Sequence, residues 1–173
     1  IYFVDLIDTK PIGIFLILGG IISLMGKSIF VIRLITALVI ALTAFVVYRT
    51  SLFNHGERKA AIASGVILIF YLSVFTFYGI FVNPELFFLF FTSLGFYLFV
   101  RYKHILSFFF LGLLLGTGFM IKYVVMFDLA AFLLFYFVTV VMKKDRRQII
   151  LCIRNCLVAA LGFLIPLAIT MMY

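Results

Sequence analysis

The chain has 173 residues, of which 67% are hydrophobic and 19% aromatic. Soluble domains are only about 45–50% apolar, so the composition excludes an ordinary soluble domain and predicts an integral membrane protein. The formal net charge of +8 does not indicate nucleic-acid binding, because Lys and Arg gather in short clusters between apolar runs and form no continuous stripe. Such clusters are typical of cytoplasmic loops.

The lengths of the apolar runs favour helices. They extend for about 15–23 residues, which is typical of membrane helices and not of the alternating, roughly ten-residue strands of an outer-membrane barrel. The predicted fold class is all-α, a polytopic transmembrane domain with about six spanning helices and a short interfacial or re-entrant helix at 11–26. Residues 1–173 are expected to form a single, incomplete transmembrane domain, with an external loop and juxtamembrane helix at 1–28 and the spanning helices at 29–173. Because both chain ends fall within patterned segments, we expect a piece of a longer membrane protein.

Two carboxylates and one ammonium precede the first apolar run, in the order Asp5, Asp8, Lys10 and then Pro11. Proline is favoured at the first helical position, and Asp8 or Thr9 can cap the helix that follows. The run at 12–25 would be about 21 Å long as a helix, against a hydrocarbon core of about 30 Å. We therefore predict that it lies in the interface or re-enters the membrane without crossing it.

This segment has two interpretations. In the first, it is a capped interfacial helix whose lysine extends to the membrane surface. In the second, Lys10 and the free amides of the helix start bind the phosphate of a lipid-linked substrate. The spacing of the residues alone does not separate the two.

The remaining apolar runs are predicted to span the membrane, at 29–48, 60–82, 86–100, 105–121, 123–142 and from 149 onwards. Most of the basic residues lie in three clusters, at 49–59, 101–104 and 143–147. Two spans separate each cluster from the next, so all three share one side, which the positive-inside rule makes cytoplasmic. Glu85 and Lys122 then lie on the external side, and Lys10 joins them if residues 12–25 do not cross.

Several other groups carry both an ordinary and a functional interpretation. Residues 83–85, Asn-Pro-Glu, are explained as a helix start with a cap, a first-position proline and a favourable negative charge. Lys122 can simply end a helical hairpin. Arg33 lies about one turn inside its span, within reach of the interface. Asp128 is deeper, where a carboxylate needs either a partner such as Arg33 or a functional cavity.

The glycines and cysteines indicate packing. Gly112 and Gly116 form a G-x-x-x-G pattern, which in membrane helices favours close helix–helix contact. Cys152 and Cys156 lie one turn apart in an apolar run and suit neither a disulfide framework nor a zinc site. No metal site and no cofactor are predicted; a divalent metal remains possible without support from the sequence.

The order of these motifs resembles the membrane domain of GT-C glycosyltransferases. The matching elements are Tyr-x-x-Asp-x-x-Asp-x-Lys-Pro at 2–11, Arg33, Leu-Phe and Gly within the basic connection at 52–56, Asn-Pro-Glu-Leu at 83–86 and Gly-x-x-x-Gly-x-Gly-x-x-x-Lys-Tyr at 112–123. The most similar branch is the bacterial group of dolichyl-phosphate-mannose-protein mannosyltransferases and aminoarabinose transferases. Many members read Lys-Pro-Pro where this chain has Pro11 followed by Ile12.

The resemblance implies inverting transfer of a sugar from a polyprenyl-phosphate donor to an acceptor glycan, lipid or protein on the external face. Lys10 would contact the phosphate, Glu85 would line the same cavity, and Lys122 would contact phosphate or acceptor. Arg33 is a further candidate for the phosphate. Membrane lipids are the other expected partners.

The main catalytic aspartate of the family is not evident in the chain. We expect it upstream of Ile1, with Asp5 and Asp8 as possible substitutes. The absence of Trp and the abundance of Phe, Ile and Lys favour a bacterial source, hence the inner membrane. A transporter or lipid flippase is the alternative function, in which Asp128 and Arg33 would line a pathway, and a structural membrane subunit is a third.

Overall fold

The computed structural model describes residues 11–74, 82–142 and 146–171, and every regular element in these ranges is an α-helix. This confirms the all-helical fold class. The helices, numbered in chain order, are α1 Ile12–Met25, α2 Ile29–His55, α3 Arg58–Val74, α4 Pro84–Arg101, α5 Ile105–Phe119, α6 Val125–Val141 and α7 Arg146–Met171.

Three of these helices, α2, α4 and α7, are long and apolar enough to cross a membrane. Helices α1, α5 and α6 are also apolar but shorter. The 15 residues of α5 give a helix of about 22 Å, below the thickness of about 30 Å for a hydrocarbon core. The described residues therefore form a helical domain in which three helices are long and apolar enough to span a membrane, and the total of six spans stays a prediction.

Helix α2 is longer than predicted. The polarity of residues 49–59 suggested a connecting loop, but α2 continues to His55 and only two residues separate it from α3. Its end is set by Gly56, which has φ 68° and donates its amide to the Leu52 carbonyl over 2.9 Å. No glycine or proline occurs between Arg49 and His55, so polar residues there mark the edge of the apolar span and not the end of the helix.

The start of α1 also differs from the prediction by one residue. Pro11 lies at the N-cap position with ψ 151°, and the helix begins at Ile12. The proline therefore precedes the first turn. The proposed caps Asp8 and Thr9 lie outside the described residues.

Helices α5 and α7 pack with their backbones in contact. A Cβ atom at Gly112 would overlap the carbonyl oxygen of Ala159, and one at Gly162 would overlap that of Phe109. Gly116 meets the backbone of Phe163 in the same way. The prediction of close packing at the G-x-x-x-G pattern is confirmed, and this contact is the centre of a core that includes buried Leu111 and Leu115.

Two ends of the bundle can be defined from contacts between helix termini. The Arg101 guanidinium at the end of α4 lies 5.3 Å from the ring centroid of Phe53, near the end of α2; we call this the basic end. At the opposite end of α4, where α4 starts and the turn at 120–124 joins α5 to α6, the amide of Gly13 donates to the Met120 carbonyl over 2.7 Å. We call this the pocket end.

Helix α1 does not run from one end to the other. It begins at the pocket end, and only residues 26–28 link it to α2. The 27 residues of α2 extend about 40 Å before they reach the basic end. Both termini of α1 are therefore far from the basic end, and its position in the membrane without crossing stays a prediction.

Candidate functional site

A cavity of about 360 Å³ lies at the pocket end. Three segments that are distant in sequence line it: the start of α1, the start of α4 and the turn between α5 and α6. The lining residues are Pro11, Asn83, Pro84, Glu85, Ile121, Lys122, Tyr123 and Val124.

The start of α4 holds Glu85 in place. Asn83 occupies the N-cap position, Pro84 is the first helical residue and Glu85 lies in the first turn, as the sequence predicted. The Asn83 side chain makes no capping hydrogen bond. Leu86 and Phe87, which follow directly, are buried and anchor this turn in the core, so the Glu85 carboxylate has a fixed position at the positive end of the helix dipole.

The turn between α5 and α6 presents Lys122. The amides of Ile121 and Lys122 both donate to the Gly118 carbonyl over 3.0 Å, and the Lys122 carbonyl accepts from Val125 over 3.3 Å. Ile121 is 1% exposed and fixes the turn to the core. The backbone around Lys122 is thus tightly folded, although its side chain is partly exposed.

Lys122 and Glu85 form an ion pair that joins the turn to α4. The Lys122 ammonium donates to Glu85 Oε1, and the side chains are 41% and 29% exposed. An ion pair with this much exposure contributes about 0–1 kcal/mol to stability, so stability alone is a weak reason for it. An ammonium has three N–H donors, so Lys122 can hold Glu85 and bind an anion at the same time.

The start of α1 docks on this turn through a glycine. Besides accepting the Gly13 amide, the Met120 carbonyl lies where a Cβ atom at Gly13 would be. Ile14 is buried and belongs to the same apolar cluster as Leu86 and Ile121. Pro11 is thereby held against the cavity. Its chain neighbour Lys10, and Asp5 and Asp8 before it, lie outside the described residues.

Arg33 is not brought to this cavity. It is exposed in the second turn of α2 and is not among the lining residues. Nor does it pair with Asp128, whose Oδ2 accepts a hydrogen bond from Thr92 Oγ1 over 3.1 Å. The interpretation of Arg33 as the partner of Asp128 is therefore wrong. Asp128 lies on α6, and the residue that it contacts lies on α4 and not on α2.

Two residues of this region were not predicted as site residues from the sequence. Tyr123 lines the cavity beside Lys122, and its position directly after the lysine was the available signal. Thr92 lies seven residues after Glu85, which places both on one face of α4. That spacing could have suggested that Glu85 and Thr92 face the same neighbour, the turn and start of α6.

No metal-binding cluster is found in the part of the chain that the structure describes, where no three His, Cys, Asp or Glu side chains come together. Cys152 is buried in α7, and Cys156 is half-buried one turn further on.

The fold and the cavity together define a polytopic helical membrane protein with a charged pocket at one end of its bundle. The sequence of residues 9–172 matches the model of a protein family, described as dolichyl-phosphate-mannose-protein mannosyltransferase, and the chain belongs to this family. The match supports a glycosyltransferase of the mannosyltransferase type and confirms the family predicted from the motifs. No curated protein and no solved structure matches the chain.

Proposed function

We propose that this chain is part of a glycosyltransferase that moves a sugar from a polyprenyl-phosphate-linked donor to an acceptor glycan, lipid or protein on the external face of a bacterial inner membrane. The observation that carries the proposal is the half-exposed pair of Lys122 and Glu85 at a cavity that the start of α1 also lines. The family match supplies the class of reaction. Inverting stereochemistry and the closer relation to aminoarabinose transferases belong to this proposal.

In this proposal the cavity receives the phosphate end of the donor. When the bond between the sugar C1 and the phosphate oxygen breaks, that oxygen gains negative charge, and a nearby ammonium stabilises it. Lys122 offers two N–H groups beyond the one directed at Glu85. Lys10 precedes Pro11, a lining residue, and is proposed as the second cation. Arg33 lies outside the cavity, and its role in phosphate binding stays a prediction.

The acceptor is proposed to enter on the side of Glu85. Its hydroxyl oxygen attacks C1 from the face opposite the leaving phosphate, and a carboxylate takes the hydroxyl proton as general base. Glu85 shapes and polarises this side. The base is proposed to come from the segment before Pro11, where Asp5 and Asp8 are the candidates within this chain.

The external position of the cavity is argued from charge. The basic residues at the end of α2, at the end of α4 and at the start of α7 lie at the opposite end of the bundle from Lys122 and Glu85, and Lys and Arg favour the cytoplasmic side. Polyprenyl-phosphate sugars presented on the external side would then reach the pocket end directly.

The test is sugar transfer by the full-length protein in vesicles that contain a radiolabelled polyprenyl-phosphate mannose. We expect Glu85→Gln, Lys122→Ala and Lys10→Ala each to lower the transfer rate by about 100-fold, the usual cost of removing one group that stabilises transition-state charge. Glu57→Gln and Lys59→Ala make the same chemical changes at exposed positions of the basic end and should leave the rate unchanged.

Retention of transfer by both Lys10→Ala and Glu85→Gln would refute the site. Movement of the lipid between leaflets by the wild-type protein, without any sugar transfer, would instead support the flippase alternative. Thermal melting of each variant in detergent separates a lost site from a lost fold.

A further inference from the structure

A second, smaller cavity lies near the basic end, between α2, α3 and α4. Its volume is about 270 Å³. It is lined mainly by polar side chains, although the surrounding helices are strongly apolar. The lining residues are Val47, Thr50, Ser51, Asn54, His55, Ser64, Ser93 and Phe96.

Part of this polar lining is satisfied within the helices. The Thr50 hydroxyl donates to the Val46 carbonyl over 2.8 Å, and the Ser64 hydroxyl donates to the Ala60 carbonyl over 2.9 Å. Ser64 Oγ also lies 3.2 Å from Ser51 Oγ. Because the single Ser64 proton is directed at the Ala60 carbonyl, the Ser51 proton completes this contact, and Ser51 is satisfied within the protein as well.

Three further groups of the lining have no hydrogen-bond partner among residues 11–74, 82–142 and 146–171: the Ser93 hydroxyl, the Asn54 amide and the His55 ring. Each supplies at least one N–H or O–H donor, His55 in either protonation state. These three groups come from two helices and surround one cavity. Such an excess of donors suits an oxyanion, whose oxygens accept several hydrogen bonds.

The charge around the cavity has the matching sign. Arg49 precedes Thr50 by one residue, Arg58 and Lys59 open α3, and Arg101 lies over Phe53, the neighbour of Asn54. Glu57 is the opposing carboxylate in this region. The basic side chains outnumber it, so the local potential favours an anion.

The size and surroundings of the cavity indicate which anion. Cavities for whole drug-sized ligands are about 300–1,000 Å³, so this one suits a single headgroup. Phe53 and Phe96 beside it are exposed on the outside of the bundle, where acyl chains can pack against them. Basic pockets between membrane helices are suited to the headgroups of anionic lipids.

We propose that this cavity binds the phosphodiester headgroup of an anionic phospholipid from the leaflet at the basic end. Asn54, His55 and Ser93 donate to the phosphate oxygens, and Arg58 and Arg101 attract the headgroup from the rim. This site lies at the opposite end of the bundle from the Lys122 cavity and does not depend on the proposed transferase activity.

The experiment uses the full-length protein in vesicles of equal phosphatidylglycerol and phosphatidylcholine, with native mass spectrometry to count the lipids that stay bound. We expect the wild-type protein to retain phosphatidylglycerol preferentially. The double variant Asn54→Ala/Ser93→Ala should lower this retention about tenfold, the effect of losing hydrogen bonds to a charged group. All basic residues remain in this variant, so a loss cannot come from net charge.

The matched control is Ser23→Ala, which removes an exposed hydroxyl from α1 and should leave retention unchanged. His55→Ala, at the exposed end of α2, is a second test that avoids the packed interior and should lower retention in the same direction. Equal retention of both lipids by the wild-type protein, or unchanged retention by both variants, would overturn the proposal. The proposal would also be overturned if the wild-type protein in pure phosphatidylcholine vesicles retained inorganic phosphate as well as it retains phosphatidylglycerol. That result would assign the site to a free anion.

Discussion

Gly13 shows how the absence of one side chain can position a site. Its amide donates to the Met120 carbonyl over 2.7 Å, and the same carbonyl occupies the space of a Cβ atom. The carbonyl carbon and oxygen of Met120, which a Cβ atom would overlap, are backbone atoms and cannot rotate away as a side chain could. The distance between α1 and the turn at 120–124 is therefore set by this glycine, and with it the position of Pro11 at the cavity.

We expect Gly13→Ala to displace the start of α1 and to lower the sugar-transfer rate of the full-length protein. A misplacement of about 1 Å costs about 100-fold in rate when it affects a reacting group. The measurement is the transfer assay together with thermal melting. Melting is needed because alanine has a higher helix propensity than glycine by about 1 kcal/mol, so the substitution also changes the stability of α1. A rate loss without a lower melting temperature identifies a positioning effect.

Gly19 supplies the control for this substitution. It lies in the same helix, and no described residue beyond its own helix turns comes within 4 Å of the place that a Cβ atom would take there, so Gly19→Ala makes the same change in open space. Its transfer rate should equal that of the wild-type protein. Equal rates for Gly13→Ala and Gly19→Ala would show that the docking of α1 has no bearing on the reaction.

At the scale of elements, α4 and α6 are joined by a polar contact about two helical turns along α4 from the Glu85–Lys122 ion pair. Asp128 accepts from Thr92 over 3.1 Å, and Glu85 on the same face of α4 meets Lys122 before the start of α6. The two contacts together hold α6 and the preceding turn against α4. Hydrogen bonds between membrane helices contribute about 0.6 kcal/mol on average and up to about 1.7 kcal/mol.

A double-mutant cycle measures this contact. We expect Asp128→Ala and Thr92→Val to show a coupling free energy of unfolding of about 1 kcal/mol, because each substitution removes the same hydrogen bond. Thr139→Val is the control, since Thr139 donates to the Tyr136 carbonyl within α6. Asp128→Ala and Thr139→Val should add independently. Additive effects for Asp128→Ala and Thr92→Val would show that the bond is not maintained in the membrane.

The sequence predicted which residues share an end of the bundle better than it predicted their contacts. Counting spans placed Glu85 and Lys122 together, and the structure joins them directly. The counting cannot fix the rotation of a helix about its axis, which depends on side-chain packing. For this reason the sequence offered Asp128 either a partner such as Arg33 or a functional cavity, whereas the rotation of α6 directs it at Thr92 on α4.

Helix ends were predicted less well than helix centres for a related reason. Hydropathy reports where side chains leave the lipid, whereas the backbone ends a helix where its geometry changes. In α2 these positions differ: the apolar run ends at Tyr48, but the helix ends only before Gly56, the residue with positive φ. At Pro11 the sequence marked the helix start to within one residue.

For the whole molecule, the position of α1 decides whether Lys10 can share a pocket with Glu85 and Lys122. If α1 stays at the pocket end, the residues before it, the Gly26–Ser28 link and the α5–α6 turn share one side of the membrane. If α1 crossed, residue 9 would lie on the side of Glu57, apart from Tyr123. Cysteine labelling with a membrane-impermeant thiol reagent distinguishes the two arrangements.

We expect Thr9→Cys, Lys27→Cys and Tyr123→Cys to be labelled from outside intact cells. Glu57→Cys, in the link between α2 and α3, should react only after the membrane is opened. Each substitution is made in a full-length background with Cys152→Ala and Cys156→Ala, which removes the native thiols of α7.

The basic clusters predict this orientation because Lys and Arg are retained on the cytoplasmic side. Labelling of Thr9→Cys only together with Glu57→Cys would place α1 across the membrane, and Lys10 could not then reach the cavity that Glu85 and Lys122 line.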